Sequence, residues 1–224
     1  MTQPVRALVV GAGAVGQVYA RHLQLGGAEV TLFVREAYRA SAARGFTLYP
    51  LNAARPRQPV RFEPAAVIAR PDEVAARRFD LVILTVASPA LAGAWLRDLI
   101  AAAGDATIVA LQPGLDDRDV ILAAGAPAER LVSGMITLIG YAAPLPGETG
   151  FAEPSTAYWF PPLAPCALSG PRADRVVRAL RAGQLPARRV ADAARASAFP
   201  SAILMPYLVA LETAGWSFEA LCLP

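Results

Sequence analysis

Residues 5–16 read Val5-Arg6-Ala7-Leu8-Val9-Val10-Gly11-Ala12-Gly13-Ala14-Val15-Gly16, and this stretch decides the fold. Its apolar run is too short for a helix and ends in glycines spaced G-x-G-x-x-G. A helix-compatible stretch then continues to Leu25 and closes at Gly26-Gly27. A buried strand, a tight turn and a helix start, in that order, form the arrangement that binds a dinucleotide pyrophosphate. Gly11 permits the turn, Gly13 lets backbone N–H groups approach the phosphates, and Gly16 lets the helix pack closely on the strand. Ala12, Ala14 and Val15 complete the cradle, and the pyrophosphate sits at the positive end of the helix dipole.

Outward from this unit, β-branched runs alternate with helical stretches. Strands are expected at 30–34, 47–51, 60–62, 79–86, 107–111 and 131–139, with helices at 36–43, 88–102 and 116–123. This pattern predicts an α/β fold: a Rossmann-like, doubly wound, mostly parallel sheet with helices on both faces. Ser88-Pro89 reads as the cap and first residue of the fourth-strand helix. After Gly140 the strands shorten. Residues 158–160 and 166–168 look antiparallel or edge-like, and 172–182 is an amphipathic helix. The tail from about 191 to 214 is helical by composition and kinked at its prolines. Residues 1–187 are expected to form the dinucleotide-binding domain, and 188–224 the start of a helical C-terminal domain.

The cofactor is legible one strand later. An NAD site usually places an acidic residue after the second strand to accept from the ribose hydroxyls. This chain has Arg35, whose guanidinium suits the 2′-phosphate of NADP. Arg39 is placed to assist. In an open doubly wound sheet, ligands collect at the carboxyl ends of the strands. That rule adds the loop of Thr85, Val86, Ala87 and Ser88, then Gln112 and Gly114, then the segment after Leu138. Thr85 and Ser88 are placed for a ribose or phosphate, or for local roles as strand residue and cap. Gln112 is expected to face the nicotinamide.

Composition bounds the alternatives. Apolar residues make up 55% and charged residues 17%, which excludes a disordered chain. All 21 basic residues are arginine, scattered without a basic stripe, which argues against nucleic acid. Cys166 and Cys222 are far apart with no metal spacing, so no metal site is expected and a reduced, cytoplasmic chain is the simplest reading. No secretory leader is evident. Residues 196–211 carry no charge but include Pro200 and Pro206 and fall short of the ~20 residues a membrane span needs.

These residues together resemble the ketopantoate reductase (2-dehydropantoate 2-reductase) family. The resemblance rests on GAGAVG at 11–16, Arg35, LVILTVASPAL at 81–91, LQPG at 111–114 and Gly134 with Met135 to Thr137. It covers about the first 180 residues, and more loosely the proline-containing helix around Pro206. The resemblance implies reduction of a ketone or 2-keto acid by NADPH hydride, a lysine that donates the proton, and an all-helical second domain with substrate contacts. Three departures follow. The family's lysine after the fourth strand is here Ala87, and its asparagine after the next strand is Pro113. Its catalytic lysine is replaced by Ser197, or by Arg195 if the register slips. The polar positions one and two turns on become Ser201 and Met205. Ser197 and Ser201 are thus the candidate remnants of the catalytic helix. Arginine cannot serve as the acid, because its pKa is too high.

Other groups rank lower. His22 is expected beside the sheet or in solvent, Tyr207 in a core, Glu212 in solvent, and Tyr141 remains a possible acid. Asp116, Asp117 and Asp119 read as capping at a helix start. Ile203, Leu204, Tyr207, Leu208 and Leu211 form an apolar helical stripe, from which a homodimer is predicted. Two functions remain open: an NADPH-dependent oxidoreductase, or a catalytically silent NADP(H)-binding module. A third reading is a fragment of a longer reductase.

Overall fold

The computed structural model describes residues 3–52, 58–112, 114 and 116–222, without the side chains of residues 199–201, 204, 205 and 222. The chain opens with β1 (Arg6–Val10), α1 (Ala14–Leu25) and β2 (Glu29–Phe33). A 3-10 turn at Glu36–Tyr38 leads into α2 (Arg39–Ala43), then β3 (Phe46–Pro50), β4 (Val60–Phe62), β5 (Ala66–Ile68) and α3 (Pro71–Ala75). The second half of the sheet is β6 (Leu81–Leu84), α4 (Ala94–Ala102), β7 (Thr107–Ala110), α5 (Asp117–Ala123) and β8 (Leu131–Gly134). There follow β9 (Ile139–Ala143), β10 (Ser155–Trp159), β11 (Cys166–Ser169), α6 (Ala173–Ala182), β12 (Ala187–Arg189), α7 (Ala193–Thr213) and α8 (Phe218–Cys222).

Eight strands form the main sheet in the order β12-β11-β8-β7-β6-β1-β2-β5. From β8 to β5 every pairing is parallel. β11 pairs antiparallel with β8, and β12 is parallel to β11, so these two strands run opposite to the other six. Strands buried on both faces read as nearly continuous apolar runs, and β6 (LVIL) and β7 (TIVA, with the polar Thr107 at its start) are buried throughout. Alternation still sorts the faces. Ala7 and Val9 join the core under α1 and α6, while Leu8 and Val10 join the core under α3 and α4.

A second sheet, β4-β3-β10-β9, lies outside α1. Leu48, Phe62 and Tyr158 pack from it into the core shared with Tyr19 and Leu23 of α1. So α1 is enclosed by sheet on both sides. Of the two readings of 158–160, antiparallel or edge-like, the first holds on one side: β10 is internal, antiparallel to β9 and parallel to β3. Asn52 adds a rung, donating from Nδ2 to the Phe160 carbonyl (2.9 Å) and accepting from the Phe160 N–H (2.7 Å).

Two sequence expectations are corrected. The strand expected over 131–139 splits, because β8 ends at Gly134 in the main sheet and β9 starts at Ile139 in the small one. The helix expected over 88–102 also splits. A 3-10 turn covers Ser88–Leu91, and Gly93, at φ +118°, ends it before α4 begins. By contrast, α6 buries Ala173, Val176, Val177 and Leu180, the one-sided spacing its sequence predicts. Helix α7 is continuous across Pro200 and Pro206. Tyr207 is exposed rather than in a core, as is Ile203, while Leu211 is buried. Among the described residues no helix is long and apolar enough to cross a membrane.

Candidate functional site

The chain runs β1, α1, β2 toward one edge of the sheet and then returns to place β6 on the other side of β1. That reversal leaves a crevice at the carboxyl ends of β1 and β6, the place where open α/β sheets bind ligands. Because the strands from β8 to β2 are parallel, the loops after Val10, Phe33, Leu84, Ala110 and Gly134 share this edge.

The glycine turn is built by close contacts. Gly11, at φ +100°, donates from its N–H to the Phe33 carbonyl (2.9 Å), tying the turn to the end of β2. A Cβ at Gly16 would lie 2.0 Å from the Gly11 carbonyl oxygen and 2.7 Å from Thr85 Oγ1, so only glycine allows α1 to start there. A Cβ at Gly13 would meet nothing within 4 Å. Open space therefore covers the turn at Gly13, the N-cap of α1. The first turn of α1 carries no acidic residue, and a first helical turn leaves backbone N–H groups unpaired. These features fit an anion such as a diphosphate.

Side chains lock the turn from behind. Thr85 Oγ1 lies 2.8 Å from the Val10 carbonyl and 3.1 Å from that of Gly11. The hydroxyl thus holds the two loops together instead of pointing to a ribose or phosphate. Gln17 Nε2 donates to the Ala12 carbonyl (2.8 Å), and Thr156 Oγ1 donates to Gln17 Oε1 (2.7 Å). The small sheet thereby braces the phosphate turn. Sequence reading missed this link, since no local pattern joins residues 139 positions apart.

The loops after β6 and β7 are also stitched. Gln112 Nε2 donates to the carbonyls of Leu84 (2.9 Å) and Val86 (2.9 Å), while Oε1 accepts from Leu111 N–H (3.1 Å). Both amide hydrogens are thus spent on backbone, and the expectation that the Gln112 side chain faces the nicotinamide is corrected. Asp117, buried in the first turn of α5, accepts at Oδ2 from Ser88 Oγ (2.6 Å) and Gly114 N–H (2.6 Å). Ser88 is therefore not a helix cap. Val86 is half-buried and Ala87 exposed on the same loop. Pro113 lies outside the described residues.

At the end of β2, Arg35 is exposed, with its guanidinium 4.8 Å over the Tyr38 ring and donating to the Tyr38 hydroxyl (3.1 Å). It has no carboxylate partner among the described residues. Arg39 is committed instead to Glu73 (2.5 Å) and Glu36 (3.4 Å), which removes it as the assisting cation.

The other candidates are structural or distant. Ser197, half-buried on α7, donates to the Ala193 carbonyl (2.7 Å). The side chain of Ser201 and that of Met205 lie outside the described residues. Tyr141 donates to Glu148 Oε1 (2.9 Å). His22 is buried rather than in solvent, about 12 Å down α1 from Ala14 at the helical rise. A carbonyl can only accept, so Nδ1 donates to Gly183 O (2.6 Å) and Nε2 accepts from Tyr158 OH (3.2 Å). Burial pushes its pKa below the ordinary value, against the Gly183 bond, which favours the charged ring.

Comparison with known proteins places this architecture. The 2-dehydropantoate 2-reductase of Geobacter metallireducens GS-15 is similar in fold, with a TM-score of 0.62 at 20% identity over 84% of this chain and 58% of that one. The corresponding enzyme of Methylococcus capsulatus gives 0.62 at 20% over 86% and 59%. D-mandelate dehydrogenase in complex with NADH gives 0.59 at 19% over 84% and 55%. The chain thus spans under two thirds of the length of these structures. It has no significant match among proteins of curated function. The profile of the ketopantoate reductase PanE/ApbA family matches residues 7–165, and the chain belongs to that family.

Proposed function

We propose that the chain binds NADPH across the crevice at the carboxyl ends of β1 and β6 and serves hydride transfer to a ketone or 2-keto acid. The family membership supports a nicotinamide-dependent reductase. The observation that carries the NADPH reading is Arg35, free of any carboxylate among the described residues and two residues beyond Phe33, whose carbonyl accepts from the Gly11 N–H. On this reading Gly11, Ala12, Gly13, Ala14, Val15 and Gly16 cradle the diphosphate, and Arg35 holds the 2′-phosphate. Thr85, Val86, Ala87, Gln112 and Gly114 shape the wall on the nicotinamide side, chiefly through their backbone. The bound nucleotide supplies the hydride. Ser197 and Ser201 stand on the helix that carries the lysine in the family, and the chain acts as a cytoplasmic homodimer.

The test is calorimetry with NADPH and NADH. Arg35→Glu is expected to weaken NADPH by more than about tenfold and to change NADH little, since a charged bidentate contact is lost only with the former. Equal effects on both overturn the 2′-phosphate assignment. NADPH oxidation with ketopantoate and a panel of 2-keto acids tests the reaction, and turnover no higher than a Gly13→Asp control defeats it.

A second reading is a silent NADP(H)-binding module. It is favoured by the absence of any lysine from the sequence and by Ser197, whose hydroxyl is given to Ala193. NADPH binding with no turnover on any substrate selects it.

A further inference from the structure

Ser88 and Asp117 form a pair that the cofactor cradle proposed above does not use. Asp117 is 8% exposed, and its Oδ2 takes two donors, Ser88 Oγ at 2.6 Å and Gly114 N–H at 2.6 Å. A serine hydroxyl has one hydrogen. Given to a carboxylate, that hydrogen is no longer available, and Ser88 Oγ presents only lone pairs, polarised by the charge behind it. Gly114 sits so close that a Cβ there would lie 2.5 Å from Asp117 Oδ2, so the carboxylate is held in place. Gln112 fixes the same two loops through the Leu84 and Val86 carbonyls. The result is a rigid acceptor on the half-buried Ser88, after β6.

Sheet order says which half of a dinucleotide would lie over this loop. A dinucleotide lying across β1 with its adenosine phosphate at Arg35, after β2, extends its other half over β6 and β7. The donors of that half are the ribose hydroxyls and the carboxamide NH2. We infer that Asp117 is a positioning residue which fixes Ser88 Oγ as an acceptor for a hydroxyl or amide of the nicotinamide–ribose half of the cofactor. This rests on the dinucleotide reading above. It assigns Asp117 a role beyond helix capping, and it makes the loop after β6 selective for a donor rather than for a phosphate.

Asp117→Asn removes only the charge. With its carbonyl oxygen in the place of Oδ2 it still accepts from both Ser88 Oγ and Gly114 N–H, so Ser88 keeps its lone pairs but loses their polarisation. Ser88→Ala removes the acceptor while leaving Asp117 bound to Gly114. The measurement is calorimetric titration of the full chain with NADPH and with adenosine 2′,5′-bisphosphate, which lacks the nicotinamide half. Ser88→Ala is expected to weaken NADPH by about tenfold, the scale of one hydrogen bond to a charge-backed group, Asp117→Asn by less, and both to leave the bisphosphate within about twofold. Ser88→Thr, which keeps the hydroxyl, is expected to retain wild-type affinity. Equal weakening of both ligands makes the pair a general loop brace and overturns the inference, as does unchanged NADPH affinity in Ser88→Ala. A wild-type chain that binds neither ligand overturns the dinucleotide reading itself, and this inference with it.

Discussion

Gly13 and Gly16 stand three residues apart in one turn, yet the structure assigns them opposite consequences when a methyl group is added. At Gly16 the new Cβ would lie 2.0 Å from the Gly11 carbonyl oxygen and 3.0 Å from the Gly11 carbonyl carbon. Both neighbours are backbone, and Gly11 is held at φ +100° by the geometry of the turn, so no rotamer change relieves the overlap. Overpacking of this kind costs typically about 1–3 kcal/mol, and a backbone-on-backbone clash belongs near the upper end. For a chain of this size each kcal/mol lowers Tm by roughly 2–4 °C, so Gly16→Ala is expected to melt roughly 6–12 °C lower. At Gly13 the Cβ meets nothing within 4 Å, and φ is −69°. Alanine there gains about 0.4–1 kcal/mol from a stiffer unfolded chain and loses a similar amount at a helix N-cap. Gly13→Ala is therefore expected to keep Tm within about 2 °C, since the two terms nearly cancel. Its effect falls on the ligand. Phosphate oxygens must come to about 2.9 Å from backbone nitrogens, and the methyl group stands in the space they would fill. NADPH affinity is expected to drop at least about tenfold, or about 1.4 kcal/mol. Thermal melts and calorimetric NADPH titrations of the two variants check both halves. A well-folded Gly13→Ala with wild-type NADPH affinity refutes the reasoning, because the diphosphate then does not lie over that residue.

Two further predictions follow from buried and exposed positions on the helices. His22 has its pKa lowered by burial, so below about 6.5 the unfolded chain takes up a proton that the folded ring resists. Stability is expected to be unaffected by His22 above that pH and to fall as pH drops through the folded pKa. Denaturant melts from roughly pH 7.5 to 5 should show a shallower decline for His22→Gln, and identical slopes would contradict the buried neutral ring. On α7, Ile203 is 57% and Tyr207 42% exposed, one turn apart. If they form the homodimer face, light scattering of the Ile203→Glu, Tyr207→Glu double variant shows a monomer where the wild type shows a dimer, and a monomeric wild type rejects the interface.

The parallel sheet and the dinucleotide turn were readable in the sequence because both are written locally. Strand runs such as LVIL can only be buried on both faces, and the glycine spacing reports contacts between residues five apart. What was not readable depends on long separations. Residues 46–62 and 139–159 each have the look of stray strands, and only folding shows that they are one sheet covering α1. Gln112 and Thr85 lie on the loops after β7 and β6, and their side chains turn toward carbonyls whose position no spacing rule predicts. Asp117 was read as a cap from its place at a helix start, and its bond to Ser88 depends on two strands lying side by side. Arg39 reads in the sequence as an assistant to Arg35, and Glu73, far along the chain, separates the two.

The outer sheet has a consequence for how the polypeptide is made. Asn52 and Phe160, which close its central pairing, are 108 residues apart. On a ribosome the β3–β4 hairpin emerges early, carrying Phe46, Leu48 and Phe62 with no layer to bury them against from the β10 side. That exposed flank persists until the distant partner strand has been synthesised, and contacts of such high sequence separation form slowly. Nascent chains stalled between these two segments are therefore the species most prone to sticking to one another, and chaperone capture should concentrate there.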